Sequence, residues 1–160
     1  MHGNQEVLKC LGESLKAELT AINQYFLHAK MCENWGYLRL AGYYRKESIE
    51  EMVHAEKLIN RILFLDGAPN MTSIGPIRVG TNVKMMFESD LALEMDAVKH
   101  LNRAIKASTA AGDNASRALF EEILGQEEEH VDYLEGQLHA IGEVGLENYL
   151  AQQLHKGEKD

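Results

Sequence analysis

The feature that most constrains this chain is a pair of Glu-x-x-His segments, Glu51 to His54 and Glu127 to His130, each set in a long stretch of apolar residues at 3-4 spacing. Such spacing marks the inward stripe of an amphipathic helix. Four segments carry it. The first runs from about Gln5 to Trp35, with Asn4 as N-cap and a seam of Leu11, Leu15, Glu18, Ile22, Tyr25 and Ala29. The second, about Leu38 to Leu65, reads Tyr44, Glu47, Glu51, His54, Leu58, Ile62 and Leu65, and Asp66-Gly67 stops it. The third, about Val83 to Ala110, reads Phe87, Leu91, Glu94, Val98, Leu101 and Ile105. The fourth, about Ala115 to Ile141, reads Phe120, Ile123, Glu127, His130, Leu134, Leu138 and Ile141.

Short links at Trp35 to Arg39 and Gly112 to Asn114 make antiparallel hairpins of the first pair and the last pair. Between Asp66 and Asn82 both prolines, Pro69 and Pro76, fall in a stretch without helical period. That stretch is a crossover long enough to traverse the bundle. After Gly142 and Gly145, the residues Leu146, Tyr149, Leu150 and Leu154 form a short amphipathic fifth helix, which only packing against a neighbour would hold. The expected fold is all-α: a four-helix bundle with a long crossover between the second and third helices, in a single domain over residues 1–160.

Each seam is apolar except near its middle, where Glu18, Glu51 with His54, Glu94, and Glu127 with His130 replace leucine. A buried ionised carboxylate must be paired, neutralised or bound to metal. The central seams offer no lysine or arginine. Glu18 to Glu51 and Glu94 to Glu127 are both 33 positions apart, with a histidine three residues on each time. One helix-hairpin device therefore occurs twice, as a two-fold site for two metal ions requires. One glutamate from each of two helices and Glu-x-x-His from each of the other two is the ligand arrangement of ferritin-like di-iron carboxylate proteins. Four carboxylates balance two ferrous ions, and oxygen with imidazole ligands suits iron or manganese.

A net charge of -9 disfavours nucleic acid. No run of 18 apolar residues appears, so neither a membrane span nor a leader is expected, and the location expected is cytoplasmic. Cys10 and Cys32 lie on one helix about 33 Å apart, beyond disulfide reach, as reduced thiols with no assigned role.

At these residues the chain resembles the bacterioferritin family along most of its length, including Ala21-Ile22-Asn23-Gln24-Tyr25-Phe26-Leu27-His28, Arg61-Ile62-Leu63-Phe64-Leu65, Ser89-Asp90-Leu91-Ala92-Leu93-Glu94 and Gly145-Leu146-Glu147-Asn148-Tyr149-Leu150. The resemblance implies a ferroxidase that oxidises Fe(II) to Fe(III) at an intrasubunit di-iron site. Glu18 and His54 ligate one iron, Glu94 and His130 the other, and Glu51 and Glu127 bridge them. It implies iron storage as a ferric mineral inside a 24-subunit cage built from two-fold dimers, of this chain alone or with a paralogue.

Tyr25, two turns beyond Glu18, is either a core tyrosine or, as the resemblance implies, an electron donor when peroxide reacts at the site. Met52 is turned about 100 degrees from Glu51 and faces outward. In the family a methionine in this Glu-Met-x-x-His context binds haem b shared between two subunits, the symmetry mate supplying the second ligand. That haem relays electrons from an iron-sulfur ferredoxin for reductive release. Glu47 and Glu50, one turn before the motif, either guide iron or are solvated carboxylates. Two departures stand out: Lys46 where many bacterioferritins carry histidine, and Tyr133 where some carry tryptophan. The first removes a ligand from an inner-surface iron site. The competing readings are a di-iron oxidase or peroxidase that stores nothing, and a haem-carrying structural or electron-transfer subunit whose di-iron site is only a staple.

Overall fold

A computed structural model describes residues 1–156. Among them are five helices and no strand: α1 (Gln5–Asn34), α2 (Leu38–Phe64), α3 (Val83–Ala110), α4 (Asn114–Val144) and α5 (Leu146–Ala151). Side-chain caps set three of the starts. Asn4 accepts from the amides of Glu6 and Val7, Asn82 from Met85, and Asp113 from Ser116, satisfying N–H groups that a first helical turn leaves open.

Helix ends follow the left-handed residue. Asp66 at φ 58 closes α2, and the amide of Gly67 reaches back to the Ile62 carbonyl at 2.9 Å. Helix α4 runs three residues past the expected Ile141, through Gly142, because the required left-handed turn comes only at Gly145, φ 83. Leu154 falls outside α5, which ends at Ala151.

The crossover lies along α1 in the same direction as that helix. Its amides at Gly75, Arg78 and Gly80 donate in turn to Thr20 Oγ1, Gln24 Oε1 and His28 Nε2, at 2.8, 3.1 and 3.2 Å. Gly80 passes so close to the start of α3 that a Cβ would sit 2.2 Å from the Met86 amide nitrogen. The chain thereby returns to the far end of the bundle before α3 begins, leaving α2 and α3 parallel and both hairpins antiparallel.

The apolar core is in two parts. One gathers Leu11, Leu15, Leu58, Ile62, Phe120 and Ile123; the other gathers Tyr25, Leu40, Tyr44, Phe87, Leu134 and Ile141. Between them lies a buried layer of glutamate and histidine. Cys10 belongs to the first part and Cys32 to the second, both as free buried thiols.

Candidate metal centre

Glu18 from α1, Glu51 and His54 from α2, Glu94 from α3, and Glu127 and His130 from α4 meet in that layer, each no more than 6% exposed. Their donor atoms form two overlapping clusters. Glu18, Glu51, His54 and Glu127 present one atom each within 4.8 Å of one another, as do Glu51, Glu94, Glu127 and His130. The clusters share Glu51 and Glu127. His54 Nδ1 lies 3.5 Å from Glu18, 3.1 Å from Glu51 and 3.1 Å from Glu127. His130 Nδ1 lies 3.1 Å from Glu51, 3.5 Å from Glu94 and 3.4 Å from Glu127.

Several of these contacts are close without being aligned. Glu51 Oε1, Glu127 Oε1 and His130 Nδ1 are buried and make no hydrogen bond. Orphaned buried polar atoms are costly, and these converge on one centre. A pair of divalent cations is the group that fits them.

Protonation in the absence of metal has the same logic. Burial, reinforced by the neighbouring Glu51 and Glu127 charges, pushes the Glu18 and Glu94 carboxyls well above the ordinary carboxylate range. Burial and the Glu127 charge would also raise Glu51, but its interactions with Glu18, His130 and His54 outweigh them and hold it low. Burial would raise Glu127 likewise, and Glu94, His130 and His54 hold it low. Burial disfavours charge on both imidazoles, yet the carboxylates around them raise each far above the histidine range. Burial and the neighbouring carboxylates therefore favour the protonated forms of Glu18, Glu94, His54 and His130 in the metal-free layer.

Known proteins resemble the chain along nearly its whole length. The ferritin-like domain family model matches residues 8–144. The chain is 50% identical over 152 residues to the bacterioferritin of Mycobacterium leprae, covering 95% of this chain and 96% of that protein. It is 49% identical to the bacterioferritin BfrA of Mycobacterium tuberculosis over the same spans. It is 47% identical over 160 residues to the bacterioferritin of Streptomyces coelicolor, covering 100% of this chain and 96% of that one. The chain belongs to the bacterioferritin family.

Beyond the six central side chains, this member of the bacterioferritin family places Tyr25 against the layer. The Tyr25 hydroxyl donates to Glu94 Oε1, and burial followed by the Glu94 charge raises its pKa well above the phenol range. A network with no sequence motif of its own lies behind it. Fully buried Asp90 accepts from Gln24 Nε2 at 2.7 Å and from Tyr44 OH at 2.7 Å, with His28 Nδ1 at 3.1 Å. His28 Nε2 accepts the Gly80 amide, so Nδ1 carries the ring hydrogen toward Asp90. The apolar period predicts Leu91 as the seam residue of α3; Leu91 is half-buried, and Asp90 points into the core.

Glu47 is buried rather than solvated, with Oε2 2.7 Å from His130 Nε2, while half-buried Glu50 lies 3.3 Å from the same nitrogen. Its position one turn before Glu51 was the available signal. Both glutamates line a pocket of about 480 Å³, together with Tyr43, Lys46, Gln126 and Tyr133, which opens from the ligand layer on the α2 and α4 side. Met52 points away from the layer and is 55% exposed, beside exposed Ile49 and Val53 on the same face of α2. No helix among the described residues is long and apolar enough to cross a membrane.

Proposed function

We propose that the chain stores iron, oxidising Fe(II) to Fe(III) at the central layer and depositing the product inside a multi-subunit cage. The observation that carries this reading is the pair of overlapping clusters sharing Glu51 and Glu127, with buried donor atoms left unpaired. Two ferrous ions are the substrate. Glu18 and His54 hold one, Glu94 and His130 the other, and Glu51 and Glu127 lie between. Each ion gives one electron to dioxygen or peroxide, so two ferrous ions, dioxygen and two protons yield two ferric ions and hydrogen peroxide.

The residues manage the charge. Binding displaces protons from the layer, and the four carboxylates neutralise the incoming ions with no lysine or arginine inside the layer itself. Tyr25, hydrogen-bonded to Glu94, is placed to give up an electron from its ring and a proton to that carboxylate when peroxide is the oxidant. Glu47 and Glu50 flank the outer nitrogen of His130, on the route by which product leaves for the cavity.

Met52 would hold the iron of a haem b shared by two subunits. Its thioether stands on an exposed apolar face of α2, which suits a flat apolar group better than water. When bound, haem supplies an electron relay, fed by an iron-sulfur ferredoxin and used to reduce stored iron for release. The cage has 24 subunits assembled from two-fold dimers, with or without a paralogue, and works in the cytoplasm, where Cys10 and Cys32 stay reduced.

Two variants test the assignments separately. Glu94→Ala is expected to slow stopped-flow ferrous oxidation by at least about tenfold while retaining haem absorbance. Met52→Leu is expected to lose haem and keep oxidation. Unchanged oxidation in the first variant overturns the ferroxidase assignment, and haem retained in the second overturns the ligand assignment. A protein that oxidises iron but retains only two ions per chain would be an oxidase and not a store.

A further inference from the structure

The central layer is two-fold in its ligands: Glu18 and Glu94, Glu51 and Glu127, and His54 and His130 occupy equivalent places in the repeat. One residue back from Glu51 and Glu127 the same repeat pairs Glu50 with Gln126, and four residues back it pairs Glu47 with Ile123. There the two-fold relation fails. One side carries two carboxyl groups, the other a neutral amide and a hydrocarbon.

These side chains meet the histidine of the opposite hairpin. His54 Nε2 on α2 donates to Gln126 Oε1 on α4 at 2.5 Å, and His130 Nε2 on α4 donates to Glu50 Oε2 on α2 at 3.3 Å. Glu47 Oε2 also comes within 2.7 Å of His130 Nε2, close without being aligned. Its counterpart Ile123 is fully buried in the apolar core and has no acceptor to offer His54. With Nε2–H committed outward, each ring presents only its Nδ1 lone pair to a metal. Nδ1 is the atom that both rings turn toward the shared Glu51 and Glu127.

The acceptor behind a ligating imidazole tunes it. A carboxylate takes up the N–H in a charge-assisted hydrogen bond and raises the donor strength of the other nitrogen, which an uncharged amide does far less. A carboxylate behind the ring also attracts a cation at Nδ1 through space. From the contrast between Gln126 behind His54 and Glu50 with Glu47 behind His130, we infer that Gln126 is a positioning residue that makes the two ion places unequal. The ion at Glu94 and His130 binds first and more tightly; the ion at Glu18 and His54 binds second and exchanges. Gln126 fixes the tautomer of His54 without lending it charge. The inference rests on the reading above, in which the layer holds two ions.

The test is titration of the metal-free assembled protein with cobalt(II), followed by its visible absorption against a competing chelator. Two steps of one ion per chain are expected, separated in affinity by at least about tenfold. Gln126 is exposed, so substitutions there leave the core intact. Gln126→Glu, which puts a carboxylate behind His54, is expected to tighten the second step by about tenfold and leave the first unchanged. Gln126→Leu is expected to weaken the second step by a similar factor. A merely structural role would make the two variants behave alike. Equal steps in the unaltered protein, or a second step that Gln126→Glu does not tighten, overturn the proposal. In a crystal loaded with one cobalt per chain, anomalous density is expected between Glu94 and His130, and density between Glu18 and His54 instead overturns it. No cobalt uptake at all would sink the metal-centre reading and the proposal with it, whereas two ions bound equally would sink the proposal alone.

Discussion

His130 Nδ1 on α4 lies 3.1 Å from Glu51 Oε1 on α2, and neither atom makes a hydrogen bond. The contact joins the two hairpins at the bundle's centre, and a metal cation held by both atoms would satisfy them together. Replacing Glu51 by glutamine removes a carboxylate shared by both clusters. Cobalt titration followed by its visible absorption is expected to fall from two ions per chain to one or fewer, whereas a variant still binding two ions tightly would remove Glu51 from the ligand set.

Metal binding competes with protons. The raised pKa values of Glu18, Glu94, His54 and His130 favour their protonated forms in the metal-free layer, so loading with redox-silent zinc is expected to release protons. Affinity therefore rises with pH. A pH-stat titration near pH 7 is the measurement, and release of fewer than two protons would contradict the protonation pattern.

The same shifts govern stability of the metal-free protein. Glu18 and Glu94 have folded pKa values above their ordinary value of 4.5, so the folded state binds more protons than the unfolded one once pH exceeds that value. Their contribution is fully present below pH 4.5 and is lost as pH rises toward the folded values. The depressed Glu51 and Glu127 act in the opposite sense, losing stability as pH falls below 4.5. Thermal melts from pH 5 upward are expected to show the Tm of the unaltered protein falling more steeply than that of Glu18→Gln with Glu94→Gln, which lacks the two titrating carboxyls. Parallel curves would contradict this.

Asp113 caps α4 and also pairs with Arg61 of α2 at 2.7 Å, with Arg61 Nε on Ser116 Oγ at 2.8 Å. Asp113→Ala removes the cap and the tie between hairpins. The expected cost is about 1 to 2 kcal/mol, a Tm lower by roughly 3 to 8 °C. Calorimetry on the metal-free protein checks it.

Asp90 gathers Gln24, His28 and Tyr44, and two of those hold the crossover through Arg78 and Gly80. Asp90→Ala leaves their buried donors unpaired, at about 3 kcal/mol or more. Limited proteolysis is expected to cut between Asp66 and Asn82 faster than in the unaltered chain. An unchanged cleavage rate there would mean that the crossover is held by other contacts.

Much of this protein was legible in its sequence because a helix is a local structure. Period, caps and breakers lie within a few residues of one another, so the four long helices, their approximate ends and the crossover followed from pattern alone, and the matched 33-residue spacing marked the six central side chains. What pattern did not reveal is any feature that depends on the rotation of one helix against another. A small turn of α3 buries Asp90 and leaves Leu91 half out; the approach of α2 to α4 buries Glu47 against His130 and stacks Tyr43 on Tyr133. A surface groove beside the start of α2 is of the same kind, since Lys30, Arg39, Arg45 and Lys156, which line it, are scattered along the chain and meet only when α1, α2 and the residues after α5 pack together. The sequence determined most of the residues that face inward, through the 3.6-residue period, with Asp90 the exception. Tertiary packing decided which of them touch, because distances between helices are set by how side chains interlock and not by any repeat along one chain.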